Sequence, residues 1–350
     1  MPRHLIGSPL TETEAVSSAG LVAALAAADF SKCSATVIGY GKMGREYVKA
    51  LRALKVPRIR VCSRNSENFR ELKGIVGFSL FGGGYQEFEA RPGPEELAIL
   101  AIPIADLGLA SRRLAGLGYR KLLIEKPVSL WAGEIEQLDE FLNQAGLEAA
   151  VAYNRVAYPS LIEAAYRTQK EGGVTSCAYT FTEFIHKIDL KRYTKDELSR
   201  WGIANSLHVV SMAHGLIGEP ESWSGYRSGS LDWHPAGRCF VGSGLSMRGI
   251  PFVYQADWGS TGRWSVELHT RAASYRLCPL EQLQRRVSAT SDWEPVPVST
   301  FDPGVKVGFV EEVAAMLDGR IQSLVPLVSL KSAAALTRYG EKIFGYSESR

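Results

Sequence analysis

At roughly 150 residues per domain, a chain of 350 residues predicts about two domains; its 45% hydrophobic and 22% charged residues argue against wholesale disorder. Lys and Arg number 40 against 37 Asp and Glu, a formal charge of +3 without the basic runs of a nucleic-acid binder, and no apolar stretch reaches the roughly 18 residues that span a bilayer. Five scattered cysteines without a CxxC pair argue against a disulfide framework or structural zinc, and point to a reducing, cytoplasmic setting.

In chain order, Thr11–Ala28 predicts an extra helix leaning on the first domain; Glu12 and Glu14 precede its alanine-rich run, where a signal peptide would be basic. Residues 1–30 are therefore set aside as an extension. From 31 to 153, short apolar runs alternate with helical periodicity. Ala35–Ile38 reads as a buried strand, and Met43, Tyr47, Ala50, Leu51 and Leu54 share one face of the next helix. Arg58–Cys62, Leu97–Ile102, Lys121–Ile124 and Ala149–Tyr153 are further strands, the last two preceded by helices on Leu107–Leu117 and Ile135–Leu142. Gly82–Gly84 is read as a loop. Parallel neighbours need crossovers, so this alternation predicts a doubly wound parallel sheet.

The texture changes over residues 154–350. A helix at Pro159–Gln169 leads to a strand at Thr175–Phe184, a Lys-rich connection at His186–Lys195 and a helix at Leu207–Ile217. Five β-type runs follow, Trp223–Ser230, Arg238–Ser246, Phe252–Trp258, Arg263–Thr270 and Ala273–Cys278, separated by Gly, Ser and Pro turns. Short turns imply antiparallel pairing. With helices at Phe309–Leu317 and Leu330–Phe344, the second domain is predicted as α+β with a large, mainly antiparallel sheet.

Gly39-Tyr40-Gly41-Lys42-Met43-Gly44 follows a strand and opens a helix, the context that gives GxGxxG its meaning. Gly39 permits the tight turn, Gly41 lets a pyrophosphate approach the backbone, and Gly44 lets helix and strand pack closely. The helix N-terminus offers unpaired N–H groups to phosphates. At the end of the second strand stand Ser63, Arg64 and Asn65, with no carboxylate to take the ribose 2′-hydroxyl of NAD; a guanidinium pairs with a 2′-phosphate, so NADP(H) is favoured over NAD(H). Glu125-Lys126-Pro127 lies at another strand end, where open α/β sheets place ligands.

Together with Ala101-Ile102-Pro103, Glu125-Lys126-Pro127 and Tyr153-Asn154-Arg155, this glycine turn resembles the glucose–fructose oxidoreductase/inositol dehydrogenase (Gfo/Idh/MocA) family over about residues 34–345. Pro279-Leu280-Glu281 and Val307-Gly308-Phe309 look like members associated with sugar or cell-surface polysaccharide metabolism. The resemblance implies a Rossmann domain, a substrate domain that assembles dimers or tetramers through its sheet, a nicotinamide cofactor, and a sugar, cyclitol or nucleotide-sugar substrate. It assigns Lys126 to the reacting hydroxyl or carbonyl and His208, in Asn205-Ser206-Leu207-His208, to proton exchange, with Asn154, Arg155 and Asn205 toward the substrate. An imidazole suits that role because its ordinary pKa lies near neutrality.

One departure stands out. Many relatives carry Asp four residues before this His, and often another three after it; here Ala204 and Ser211 occupy those positions. An amide at Asn205 is no carboxylate base. Besides hydroxyl/carbonyl oxidoreduction, this leaves imine or enone reduction, redox-neutral chemistry on glycosides, and a non-catalytic dinucleotide-binding regulator as readings. No HExxH or carboxylate cluster appears, so no metal is expected. Lys187, Lys191 and Arg192 read as a solvated loop face, with an anionic substrate group as the alternative.

Overall fold

The computed structural model describes residues 15–348. Residues 11–14 of the N-terminal helical segment lie outside them, and the helix itself, α1, is Ser18–Ala27. Two units form: one from Val22–Asn154 with Phe301–Ala334, the other from the stretch ending at Leu21, Arg155–Thr300 and the stretch from Ala335 onward.

The first unit runs β1 (Ser34–Ile38), α2 (Lys42–Ala53), β2 (Arg58–Cys62), β3 (Phe78–Phe81), α3 (Gly84–Glu87), β4 (Leu97–Leu100), α4 (Ile104–Leu117), β5 (Lys121–Glu125), α5 (Ala132–Gln144) and β6 (Glu148–Ala152). The strands lie in the order β3-β2-β1-β4-β5-β6, all parallel. Every residue of β1 and β4 is buried, which is why these strands read as continuous apolar runs rather than alternating ones. The chain reverses its winding between β1 and β4, the switch point outside which ligands of such sheets bind. β3 and α3 occupy the stretch around Gly82–Gly84 that reads as loop: β3 is short and half-covered, and its pattern gives little signal.

The second unit holds α6 (Pro159–Lys170), β7 (Ser176–Phe181), α7 (Lys195–Ser199), α8 (Leu207–Ile217), β8 (Pro220–Ser228), β9 (Cys239–Ser246), β10 (Pro251–Asp257), β11 (Trp264–His269), β12 (Ser274–Leu277), β13 (Leu283–Arg286) and β14 (Glu294–Val296). Its eight strands run β14-β13-β12-β11-β7-β10-β9-β8. All neighbours are antiparallel except β7 and β10, whose connection carries two helices and a hairpin. Period-two alternation sends Cys177, Tyr179, Phe181, Phe252 and Tyr254 inward. Each fully buried aromatic of this kind contributes roughly 1.5–3 kcal/mol. His214 of α8 packs there against Tyr179 and Phe252, and burial pushes its imidazole down to about 3, so it is a neutral core residue. The opposite face leaves Tyr226, Val241, Leu245 and Val253 exposed.

The chain then returns to the first unit as α9 (Phe309–Leu317), α10 (Gly319–Gln322) and β15 (Val328–Ser329), the last pairing antiparallel with β6; α11 (Leu330–Phe344) begins there and, from Ala335, belongs to the second. The two units therefore do not divide at a single point near residue 154. Phe309 meets the Tyr47 ring at 4.7 Å, an apolar contact that holds the returning segment to α2. At the other end of the chain, the Ser18 N–H and hydroxyl each donate to Glu163 of α6 at 2.9 Å, fastening the first turn of α1 to the second unit. Among the described residues no helix is long and apolar enough to cross a membrane.

Candidate active site

The glycine turn at the end of β1 is built so that each glycine has its own reason. Gly39 has φ 97°, and a Cβ there would collide with the Ala101 carbonyl, so the first turn and the end of β4 fit only around hydrogen. A Cβ on Gly44 would collide with the Gly39 carbonyl, which sets how closely α2 approaches the strand. At Gly41 a Cβ would meet nothing within 4 Å. That open approach is what a pyrophosphate needs, and α2 begins there with no side chain capping its N-terminal N–H groups. Gly41 and Lys42 are exposed and Met43 half-buried, while Ala101 and Ile102, half-buried, and Pro103, exposed, form the facing lip at the end of β4. The backbone here fits a dinucleotide.

Tyr40 is buried and occupied. Its hydroxyl donates to Glu71 at 3.2 Å, the Arg45 guanidinium lies 4.6 Å from its ring centre, and burial pushes its pKa up to about 12. At the end of β2, Ser63 is buried and receives Asn68 Nδ2 at 3.2 Å, and Asn65 caps the following turn by accepting from the Glu67 N–H. Arg64 differs. It is exposed, its aliphatic stem lies against Gly84, and it makes no ion pair among the described residues.

At the end of β5, the Glu125 carbonyl accepts from the Val128 N–H, closing a turn across a cis Lys126–Pro127 bond and leaving Lys126 half-buried. Val128 has φ 72°, a conformation a β-branched side chain rarely adopts. Beneath Lys126 lies an acidic cluster that sequence reasoning missed. Tyr47 of α2 donates to Glu125 at 3.0 Å, and Glu312 of α9, 2% exposed, shares the same hydroxyl. Burial raises the Glu125 carboxyl, against the pull of Lys126, and raises that of Glu312 further, with the charge of Glu125 adding to it. Burial likewise takes the neighbouring Glu311 up to about 7. Oε1 of Glu312 has no hydrogen-bond partner among the described residues. Asn154 serves this unit: its Nδ2 donates to the Val307 carbonyl at 3.0 Å, just ahead of Gly308, whose φ of 86° starts α9.

Within the second unit, α8 is entered through a π-helical turn, Gly202–Ser206, a local widening often found at functional sites. Gly202 fits because a Cβ would strike the Phe344 ring, and its N–H donates to Tyr346 Oη at 3.0 Å. The turn is braced by a buried ion pair, Arg200–Glu341, at 2.7 Å. It presents Asn205 and Ser206 to one carboxylate: Asn205 Nδ2 donates to Glu183 at 2.9 Å and Ser206 Oγ donates to it at 2.6 Å. A carboxyl group thus stands beside the helix entrance although position 204 is alanine.

Asn205 and Glu183 line a cavity of about 390 Å³ with Arg155, Arg263, Lys187, Glu281 and the aromatic rings of Phe184, Tyr193, Trp201 and Trp264. His208 is 5% exposed and not part of that lining; its ring lies 6.3 Å from that of Trp264, which is. Of the residues singled out in the sequence, the cavity gathers Arg155, Asn205, Lys187 and Pro279-Leu280-Glu281, and not Asn154 or His208. Glu183 could have been found: continuing the inward alternation Cys177, Tyr179, Phe181 by one step puts a carboxylate on the buried face. Arg263 and Trp264 carry no comparable signal. Among the described residues no cluster of three or more His, Cys, Asp or Glu side chains could hold a metal ion.

No protein-family profile and no curated protein sequence matches the chain. Solved structures do. Levoglucosan dehydrogenase in complex with NADH and L-sorbose superposes with a TM-score of 0.68 at 15% identity, covering 89% of this chain and 96% of its own. UDP-N-acetylglucosamine 3-dehydrogenase GnnA from Acidithiobacillus ferrooxidans gives 0.63 at 13%, over 90% and 98%. The WlbA dehydrogenase from Bordetella pertussis, in complex with NADH and UDP-GlcNAcA, gives 0.65 at 14%, over 90% and 95%. At such identities the likeness is one of architecture, and in architecture the chain has the fold of the Gfo/Idh/MocA-type NAD(P)-dependent dehydrogenases.

Proposed function

We propose that the protein is a nicotinamide-dinucleotide-dependent oxidoreductase acting on a hydroxyl or carbonyl of a sugar-like molecule, with NADP(H) preferred over NAD(H). The observation that carries this reading is the three-glycine turn at the β1/β4 switch point, open at Gly41 and closed by backbone at Gly39 and Gly44. Exposed, ion-pair-free Arg64 at the end of β2 supports the 2′-phosphate preference. That levoglucosan dehydrogenase was captured with NADH and L-sorbose, and WlbA with NADH and UDP-GlcNAcA, supports a sugar-like substrate.

The cofactor, when bound, supplies or accepts a hydride. The role we assign to Lys126 is to donate a hydrogen bond to the reacting oxygen, where a fixed ammonium stabilises negative charge as it develops. His208 exchanges the proton. Glu183 holds Asn205 and Ser206 in the turn ahead of His208, and supplies the carboxyl group that Ala204 does not. This supports hydroxyl/carbonyl chemistry over the imine, enone and redox-neutral readings that the missing Asp had kept open. The exposed apolar face of β8, β9 and β10 supports assembly into a homodimer or homotetramer through the sheet. The scattered cysteines remain the support for a cytoplasmic location.

Titration with NADPH and NADH, followed by intrinsic fluorescence, tests the reading. Tighter binding of NADPH is expected; equal affinities remove the argument from Arg64, and binding of neither overturns the assignment as a whole.

A further inference from the structure

The cavity of the second unit has an unusual charge inventory. Three cationic side chains, Arg155, Lys187 and Arg263, line it, and none makes an ion pair among the described residues. Of its two carboxylates, Glu183 accepts from Asn205 and Ser206, and Glu281 accepts from the Tyr158 hydroxyl at 3.4 Å. Arg155 is the most constrained of the cations. Its guanidinium lies 5.0 Å from the centre of the Trp264 ring, and its Nε is buried without a hydrogen-bond partner. Lys187 lies over the Phe184 ring at 5.2 Å, and Arg263 is exposed. A guanidinium held over a ring presents its donor edge in a fixed orientation, suited to a carboxylate or phosphate. The opposite requirement is met as well: aromatic faces at Trp201, Tyr193 and Trp264 cover the C–H face of a ring, and carboxylates and an amide meet hydroxyls.

We infer that this cavity selects a monosaccharide-sized polyol bearing an anionic oxygen group, read by Arg155 and Arg263 with Lys187 closing over it, in preference to a neutral sugar. The inference rests on the reading of this unit as the substrate-binding part of a sugar-like oxidoreductase. Glu183, Asn205 and Glu281 serve the hydroxyls and the three cations serve the anion. Lys187, which in the sequence reads as part of a solvated loop face, thereby becomes a specificity residue.

The test is calorimetric titration of the full chain with D-glucose, D-glucuronate and D-glucose 6-phosphate, alone and with saturating NADPH. At least one of the two anions is expected to bind about tenfold or more tightly than glucose, the scale of a charge-assisted contact, and the tighter of them tells carboxylate from phosphate. The advantage should shrink in high salt, since Arg263 and Lys187 are exposed. Arg155→Gln and, independently, the exposed Arg263→Gln should each lower anion affinity about tenfold and glucose affinity by much less. Glucose binding as tightly as both anions, no binding of either anion, or loss of glucose and anion binding in equal measure in a folded Arg263→Gln protein overturns the inference. The NADPH titration reports separately on the cofactor reading: anion selectivity without dinucleotide binding defeats that reading and leaves this one standing.

Discussion

The Tyr47 hydroxyl donates to the Glu125 carboxylate at 3.0 Å, tying the middle of α2 to the residue immediately before Lys126. The same hydroxyl meets Glu312 of α9. Burial and the charge of Glu125 raise the Glu312 carboxyl, against the pull of Lys306, and so favour the form that keeps its proton. The cluster therefore carries less negative charge beneath Lys126 than its composition suggests.

The stability of the fold should record that proton. A carboxyl whose folded pKa is raised above its unfolded value contributes stability that is present at low pH and lost as pH rises toward the folded pKa. Glu311, up to about 7, and Glu312, higher, both act in this sense, from the usual carboxyl range upward. Glu312→Gln keeps the shape and removes one titration. The melting temperature of the variant minus that of the wild type should rise between about pH 5 and about pH 8. A difference that falls over this range would show Glu312 to be ionised and favourably paired.

The glycines separate folding from binding. Gly41→Ala projects a methyl group into open space, so thermal stability should stay within about 0.5 kcal/mol, while NADPH affinity falls by an order of magnitude or more because the methyl occupies the approach to the backbone. Gly39→Ala forces φ near 97° on a residue with a Cβ and drives it into Ala101, and should destabilise by about 1–3 kcal/mol. Thermal melts alongside dinucleotide titrations check both; equal stability losses would refute the division.

Arg64→Ala should weaken NADPH binding about tenfold and leave NADH within twofold, since the guanidinium has no structural partner whose loss would disturb the turn. Competitive titration of the two nucleotides measures this. A parallel loss of both would mean that Arg64 stacks on the adenine without discriminating.

On the exposed sheet face, Tyr226 is 81% and Val253 52% exposed. Tyr226→Arg or Val253→Arg should leave the fold intact, because neither side chain enters the core, and should shift the protein toward monomer in light scattering. A wild type that is monomeric at every concentration would refute assembly through this face.

Stability of the second unit should depend on the Arg200–Glu341 pair, whose side chains are 6% and 0% exposed. Glu341→Ala removes the Glu341 carboxylate from buried Arg200 and leaves Asp196 as its remaining acidic neighbour, a loss of up to about 3–5 kcal/mol. Because the pair braces the turn that carries Asn205, ligand binding in the adjoining cavity should weaken with it, which calorimetry would detect.

The local devices were legible because each is written in contiguous residues. Strand, glycine turn and helix occupy Ser34–Ala53 without interruption, and an exposed Arg at a strand end or a Lys at a turn needs no distant partner to be noticed. Inward alternation along β7 and β10 likewise follows from a two-residue period, which is why the antiparallel sheet could be read from its strands. What the primary structure determined unaided is therefore the architecture of each unit and the presence of the glycine turn at the end of β1.

Tertiary structure alone decided which charges meet. Tyr47 and Glu125 are 78 residues apart, and Glu183 reaches Asn205 across 22. Whether a buried acid keeps its proton, and whether an Arg is neutralised or left available, depends on solvation and on neighbours brought in from other elements, and neither is encoded in local periodicity. The same holds for the returning segment Phe301–Ala334: its helix is plain in the sequence, but only packing of Phe309 against Tyr47 assigns it to the first unit.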